Sequence, residues 1–391
     1  MRYLLFALSL LIFQGCATTN LAPISKNFMS EDDEKRLWAR SEEEEDVLDK
    51  SGLIYGDEEL ESYLNEVAAK LVSPDTVEHI PIKIKVIKNN QLNAFAFPNG
   101  VIYIHTGILA RMENEAQLAT LIAHEMVHST HRHMLKQFRD IKNKTAFLST
   151  LQVAIGGLGG GVGDLATLLG TLGTMAAVSG YSKGLETEAD MEGLKAIVAA
   201  GYDFNEAPKL FMHLKKEIEE EKIQEPFFFG THPRIKERIK NYESFINEQY
   251  SGQKGGIINR ELFLEKIKDV IFDNAKLDLS AGRFNIAKNG VDKYLGLNPD
   301  DAKAYCLLGE IFRQKGEEGD MEKAKEYYQK AISNDPVYPE SYKGMGLIFF
   351  KQGEKIKAED YLEQYLSLSE DASDRGYIEE YIKQCNKEGG Q

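Results

Sequence analysis

Residues 114–133 read NEAQLATLIAHEMVHSTHRH, and the rest of the chain can be organised around them. Apolar residues recur here at helical spacing and no glycine or proline interrupts the run, which predicts a single helix from Asn114 to His133. His124 and His128 are four residues apart on one face of that helix, so both imidazoles can reach one metal ion. Glu125 is rotated by about 100° from His124, which places it beside the ion, where a general base for a water molecule belongs. Two imidazoles and one carboxylate suit zinc, and we predict one Zn²⁺ per chain.

A carboxylate-rich helix is predicted farther along, from Leu185 to Ala200, and Gly201 ends it. Its ETEAD segment places Glu186 and Asp190 four residues apart on a shared face, whereas Glu188 points elsewhere. Thr231-His232-Pro233 then opens a helix that continues to about Glu248.

A β-hairpin is predicted just upstream of the histidine helix. Ile80 to Ile87 alternates apolar residues with lysines and indicates a half-buried strand. A Pro98-Asn99-Gly100 turn separates two further short strands, 93–97 and 101–105. An exposed edge here could accept an extended peptide through backbone pairing, although a purely structural hairpin is about as well supported. The candidate edge strand consists of Asn93, Ala94, Phe95, Ala96 and Phe97.

The segment 145–182 is almost free of charge, with Asp164 as its only charged residue. A glycine-rich centre separates two apolar stretches, and neither stretch alone spans a bilayer comfortably. Buried helices or a lid are favoured here over a flap that contacts a membrane.

The N-terminus indicates export. Residues 1–15 combine Arg2 with an apolar run of signal-peptide length and end at Gln14-Gly15-Cys16. The pattern is similar to a bacterial lipoprotein signal, with Cys16 as the lipidated first residue and 16–29 as a tether; the alternative is an ordinary cleaved signal and a soluble periplasmic protein. The net charge of −15, without a basic patch, argues against nucleic acid as a partner.

The C-terminal third repeats with a period near 34 residues. A glycine-rich linker at 251–258 marks a domain boundary, across which few contacts are expected. Two sets of small and large residues match the tetratricopeptide pattern, and a degraded copy precedes them: Ala275, Ala287, Val291, Tyr294 and Pro299; Tyr305, Leu308, Gly309, Phe312, Ala324, Tyr328, Ala331 and Pro336; Tyr342, Met345, Gly346, Phe349, Ala358 and Leu362. Residues 377–385 are expected to cap the stack. Because a whole repeat separates Cys306 from Cys385, no disulfide is expected between them.

The fold class predicted from these segments is mainly α. Residues 30–250 form an α+β catalytic domain with a small sheet beside the histidine helix, and residues 259–391 form an all-α solenoid that presents a peptide-binding groove, or serves only as a spacer or dimerisation module.

The order of these motifs resembles the BepA-type periplasmic metalloproteases, within the broader family of HtpX and the CAAX prenyl proteases. The resemblance covers essentially the whole mature chain and rests on NAFAFPNG, HEMVH, ETEAD, THP and the repeats. It implies that His124, His128 and Glu186 bind zinc and that Glu125 is the catalytic base of a gluzincin-type endopeptidase. It also implies supporting roles for other residues: Asp190 would hold a ligand histidine through its second nitrogen, Arg238 fits the pattern, and His232 would reach the zinc or the substrate, either as a donor near the oxyanion or as a ligand that closes the resting site.

Two features depart from that family. Lys183 stands where members often carry arginine, which keeps the charge but loses the bidentate fork. The chain also lacks segments comparable to the transmembrane helices of HtpX and the prenyl proteases.

The predicted function is therefore a zinc endopeptidase of the bacterial cell envelope. Its expected substrates are unfolded or misassembled envelope proteins, and the repeats would recruit these or the outer-membrane assembly machinery. The expected location is the periplasmic side of the outer membrane. The alternative is a chaperone or scaffold in which proteolysis is latent.

Overall fold

The computed structural model describes residues 18–143, 181–221 and 235–387. Three of the predicted features lie outside them: Cys16 with its signal-type segment, nearly all of the apolar segment 145–182, and Thr231-His232-Pro233. Within the described ranges, none of the helices combines the length and the apolar character needed to cross a membrane.

The helices of the first 250 residues pack around one central helix, α5. In chain order they are α1 Asp32–Lys50, α2 Glu58–Leu71, α3 Pro74–Val77, α4 Thr106–Arg111, α5 Glu115–Thr130, α6 His133–Asn143, α7 Lys183–Ala199, α8 Glu206–Glu220 and α9 Ile235–Gln249. Every residue of α5 is buried. Its polar residues therefore need partners inside the protein, as in the N-cap, where the Asn114 side chain accepts a hydrogen bond from the backbone N–H of Gln117.

A three-stranded sheet lies beside α5. The strands are β1 Lys83–Ile87, β2 Ala94–Ala96 and β3 Val101–His105, in the order β1-β3-β2. β3 pairs in parallel with β1 and antiparallel with β2, so the predicted hairpin is confirmed. The first strand is shorter than 80–87; Pro81 lies in the omitted part and cannot donate to a strand ladder.

The prediction of one helix from Asn114 to His133 is wrong at its C-terminal end. α5 stops at Thr130, and α6 starts at His133. Between them Arg132 adopts a left-handed backbone with φ of 60°, which is rare for a residue other than glycine. Its guanidinium donates to both carboxylate oxygens of Glu34, at 2.8 and 2.7 Å, and lies over the ring of Phe28. These contacts, with Glu34 in α1 and with Phe28 just before it, stabilise the turn in a conformation that the local sequence does not favour.

The expectation of few contacts across 251–258 is also wrong. The backbone of Ile257 bonds to Gly201 and Asp203, and that of Ile258 accepts from Glu115 at the start of α5. The next helix, α10, packs on α4, α2 and α5, and Phe263 and Ile267 within it are fully buried. The hydrophobic core is therefore continuous from the catalytic part into the repeats.

The remaining helices stack in antiparallel pairs. They are α10 Arg260–Ser280 with α11 Phe284–Leu295, α12 Ala302–Lys315 with α13 Asp320–Asn334, and α14 Pro339–Gln352 with α15 Lys355–Leu368, followed by α16 Arg375–Lys387 as the cap. Gly309 and Gly344 both lie against the ring of Tyr328, where a side chain on either would overlap it. The predicted repeat solenoid and the mainly α fold are thus confirmed, and Cys306 and Cys385 are separate buried thiols.

Candidate metal centre

The candidate centre lies where α7 crosses α5. Gly193 of α7 makes the crossing close, since a Cβ built there would lie 3.2 Å from the backbone nitrogen of His124. This approach brings the carboxylates of α7 over the imidazoles of α5. A larger side chain at residue 193 would separate the two helices and with them the two halves of the centre.

His124, His128 and Glu186 converge on one point. Their ligand atoms all lie within 4.8 Å of one another, and all three side chains are buried. The two Nε2 atoms are 3.1 Å apart, and Glu186 places its carboxylate oxygens 3.3 Å from His124 and 3.6 Å from His128. Two imidazole nitrogens and one carboxylate, withdrawn from water and aimed together, fit the donor set of a zinc site with an open fourth position.

His124 is held from behind by a carboxylate. Asp190 Oδ1 lies 3.0 Å from His124 Nδ1, and Arg238 of α9 pairs with the same oxygen at 2.5 Å. Nδ1 of His124 thus faces two groups, the acceptor Asp190 and the donor-only Nη2 of Arg238 at 2.9 Å, and a metal bound at Nε2 would require the ring proton on Nδ1, directed at Asp190. Arg238 is fully buried with its guanidinium 4.2 Å from the Phe211 ring centroid. Asp190 and Arg238 therefore both contact Nδ1 of His124, and their supporting roles stay predictions.

The electrostatics of the centre favour a cation. Burial and the nearby Arg238 charge both oppose protonation of His124, yet Asp190 and Glu186 outweigh them and raise the pKa of His124 to about 9. The pKa of Asp190 is lowered even though burial opposes this, because Arg238 and His124 stabilise its charge. The negative potential that stabilises a proton here would equally stabilise a divalent metal ion.

His128 is held differently. Its Nδ1 lies 2.9 Å from Nδ1 of His133, the first residue of α6, and Glu188 Oε2 lies 3.4 Å from Nε2 of that second histidine. The ring of Tyr181 stacks on His128 with centroids 4.0 Å apart and planes 12° from parallel. Burial raises the pKa of Tyr181 well above its usual value, and the nearby Glu125 and Glu186 charges add to this, so the phenol remains protonated.

Glu125 is buried on the next position of α5 and is not one of the three converging residues. The predicted edge strand, 93–97, lies close to this helix. Ser129 Oγ donates to the Phe97 carbonyl at 2.9 Å, which ties the end of that segment to α5 one residue beyond His128. Glu125 and the end of the candidate substrate strand therefore both lie along α5.

Two neighbours of the centre were not predicted from the sequence. His133 and Tyr181 flank the motifs at HSTHRH and YSKGLETEAD, but only the turn at Arg132 and the fold of α7 bring them to His128. Lys183, by contrast, is largely exposed and pairs with Glu237 at 3.2 Å. His232 and Cys16 lie outside the described residues, so their roles stay predictions.

Comparisons with known proteins find relatives of both parts of the chain. Residues 56–246 match Peptidase family M48, and residues 302–338 match a tetratricopeptide repeat. The beta-barrel assembly-enhancing protease of Escherichia coli is 27% identical over 203 residues, which are 51% of this chain and 41% of that protein. The mitochondrial metalloendopeptidase OMA1 of Schizosaccharomyces pombe is 28% identical over 202 residues, 50% of this chain and 57% of that protein. Among solved structures, the Arabidopsis OM64 TPR domain covers 32% of this chain and 97% of its own length, with 17% identity and a TM-score of 0.28.

Proposed function

We propose that this chain, which contains a peptidase family M48 domain followed by tetratricopeptide repeats, is a zinc-dependent endopeptidase of the bacterial cell envelope. The observation that carries the proposal is the buried convergence of His124, His128 and Glu186, with Glu125 beside them. Both relatives named above carry protease or metalloendopeptidase names, but the matched region spans only 41% and 57% of their lengths.

The chemistry follows from the donor set. Bound zinc would lower the pKa of a water molecule toward neutrality and polarise the scissile carbonyl. Glu125 accepts the proton of the attacking water and then delivers it to the leaving amine. With zinc on Nε2, the proton of His124 would lie on Nδ1 and be accepted by Asp190, and the ring of Tyr181 covers one face of His128.

The substrate would pair with β2. The backbone N–H of Phe97 donates to the Val101 carbonyl, and that of His105 donates to the Asn93 carbonyl. The backbone N–H and C=O groups of the odd-numbered residues of this strand therefore face β3. The peptide N–H and C=O groups of Ala94 and Ala96 therefore point away from β3, at the edge of the described sheet. All five residues from Asn93 to Phe97 are buried, so the covering groups would have to move before a peptide could pair there. An extended peptide bound to these groups would be recognised by its backbone, so we propose loose sequence specificity and unfolded or misassembled envelope proteins as substrates.

The repeats would recruit substrate or a partner such as the outer-membrane assembly machinery. Helices α10, α12 and α14 enclose a groove of about 620 Å³ lined by aromatic, aliphatic and charged side chains of both signs, among them Phe272, Leu307, Lys303 and Glu340. Such a surface suits a peptide segment. The alternative function is a chaperone or scaffold that relies on this groove and keeps proteolysis latent. A Glu125→Gln protein that fully complements a deletion strain would favour the scaffold.

For localisation we propose a lipoprotein on the periplasmic side of the outer membrane. The support is the signal pattern that ends at Cys16. Only a short tether would separate that anchor from the folded protein, since Arg139 Nη1 donates to the Thr18 carbonyl at 3.0 Å. Replacing Cys16 with serine should move the protein from the membrane to the soluble periplasmic fraction; continued membrane retention would contradict lipidation at this residue.

The direct test of the activity is reversible metal removal. Treatment of the purified protein with a strong zinc chelator should abolish casein cleavage, and added zinc, but not magnesium, should restore it because nitrogen ligands disfavour magnesium. Cleavage that survives complete removal of the metal would contradict the proposal.

A further inference from the structure

Nδ1 of His128 contacts another histidine, whereas Nδ1 of His124 contacts the carboxylate of Asp190. His128 Nδ1 and His133 Nδ1 are 2.9 Å apart, and both side chains are buried. Only one proton can occupy the line between two ring nitrogens at this distance. Which ring carries it decides whether His128 can bind a metal.

There are two arrangements of that proton. If it belongs to His133, then His128 accepts at Nδ1 and carries its own proton on Nε2, the atom that faces Glu186 at 3.6 Å. A protonated Nε2 has no lone pair for a metal. If the proton belongs to His128, its Nε2 is free to coordinate, and His133 must accept at Nδ1 and carry its proton on Nε2.

Glu188 selects between these arrangements. Its Oε2 lies 3.4 Å from His133 Nε2, at ion-pair distance, and Lys136 of α6 lies 3.5 Å from the same oxygen. The pair makes no hydrogen bond, but the carboxylate charge favours a proton on the nitrogen that faces it, so we take Nε2 of His133 as protonated and Nδ1 as the acceptor. Glu188, about one third exposed, thereby acts on the buried centre through His133.

We propose that His133, oriented by Glu188, is a positioning residue that holds His128 in its metal-binding tautomer. It serves the second ligand as Asp190 serves the first. Both supporting residues lie outside α5. Asp190 lies on α7, and His133 is the first residue of α6. Glu188, which orients His133, lies two residues before Asp190 on α7. The inference rests on the proposed function because it assumes that the centre binds zinc.

The test measures zinc affinity by competition with a chromogenic chelator in the full-length mature protein. His133→Leu removes the acceptor at similar volume, and we expect it to weaken zinc binding about 10- to 100-fold, as loss of an outer-shell partner does. His133→Asn places an acceptor oxygen near the position of Nδ1 and should restore most of the affinity. Glu188→Ala should keep zinc but bind it several-fold more weakly. His131→Leu, two residues away in the same turn, is the matched control and should bind zinc like wild type.

Two further readouts separate this role from packing. The visible spectrum of the cobalt-substituted protein should change in His133→Leu and return in His133→Asn, while thermal unfolding of the metal-free proteins should not follow that order. Equal zinc affinity in wild type and His133→Leu would overturn the inference and leave the metal site intact, as would equal losses in His133→Leu and His133→Asn. A wild-type protein without zinc affinity would overturn the site itself and the inference with it.

Discussion

Glu186 is the residue through which α7 completes the centre. It is fully buried and lies between both histidines, whereas another glutamate of its helix contacts neither of them. This is Glu192, which pairs with Lys195 at 2.8 Å near the surface. Comparing substitutions of Glu186 and Glu192 therefore distinguishes the loss of a metal ligand from the loss of one negative charge on the same helix.

We predict that Glu186→Ala loses zinc while Glu192→Ala keeps it. The loss should exceed the roughly 10- to 100-fold cost of an outer-shell partner, since a ligand itself is removed. Zinc content after gel filtration and affinity by chelator competition are the measurements. Wild-type affinity in Glu186→Ala would show that another group is the third ligand.

Among individual residues, the sequence predicted those whose positions follow from their spacing within one helix. The spacing of four residues in HEMVH and in ETEAD places His124 with His128 and Glu186 with Asp190, and all four lie at the centre. His133 could not be predicted, because its position depends on the left-handed turn at Arg132. That turn is stabilised by Glu34, 98 residues earlier, and no local pattern reports such a contact.

At the scale of elements, the crossing of α5 and α7 controls the distance between the imidazoles and Glu186. Gly193→Ala should change the free energy of unfolding in two opposite ways. The higher helix propensity of alanine adds up to about 1 kcal/mol, but overpacking against the His124 backbone costs about 1–3 kcal/mol. Gly184→Ala, on the same helix with no atom near the added Cβ, should show only the gain. Denaturant unfolding of the two variants measures the difference, and equal stabilities would mean that the close approach does not constrain α7.

The edge of β2 gives a second prediction at this scale. Ala96→Pro removes an outward N–H without breaking a bond to β3, a position where proline is tolerated in an edge strand. We expect a higher KM for casein with normal zinc content and normal circular dichroism. An unchanged KM would indicate that substrate does not pair with this edge.

The hairpin itself was predictable, whereas the helix α4 that follows β3 was not. Two short apolar runs, 93–97 and 101–105, flank a Pro-Asn-Gly turn, which is a local signal. The six residues of α4 carry no such pattern, and they are helical where α10 and β3 pack on them. Tertiary contacts decide the structure there.

At the scale of the whole molecule, the repeats and the catalytic part share one core. Arg111 of α4 donates to Asp278 of α10 at 2.8 Å and to Glu217 of α8 at 3.1 Å, and Tyr55 donates to Asp273 of α10 at 2.9 Å. The glycine-rich linker suggested independence, but two of its glycines allow close packing: a Cβ at Gly255 would overlap the side chain of Asp203, and one at Gly256 the backbone of Gly201 and Tyr202.

We therefore predict that a fragment ending at Gly255 is markedly less stable than the full chain, because it exposes the surface that buries Phe263 and Ile267. A fragment ending at Asn298, which retains α10 and α11, should keep the cooperative unfolding of the catalytic part. Thermal unfolding by circular dichroism compares the two. Equal midpoints would mean that α10 belongs to the repeats alone.

The central claim is that α5 presents two zinc ligands and, beside them, a base that is not a ligand. Glu125→Gln tests it most directly, with zinc content and casein turnover measured on the same preparation as wild type. Removing the carboxylate charge should abolish cleavage, because no group then accepts the proton of the attacking water, while the zinc content should equal that of wild type because His124, His128 and Glu186 are intact. A pure Glu125→Gln protein that still cleaves casein, or one that has lost its zinc, would contradict the account.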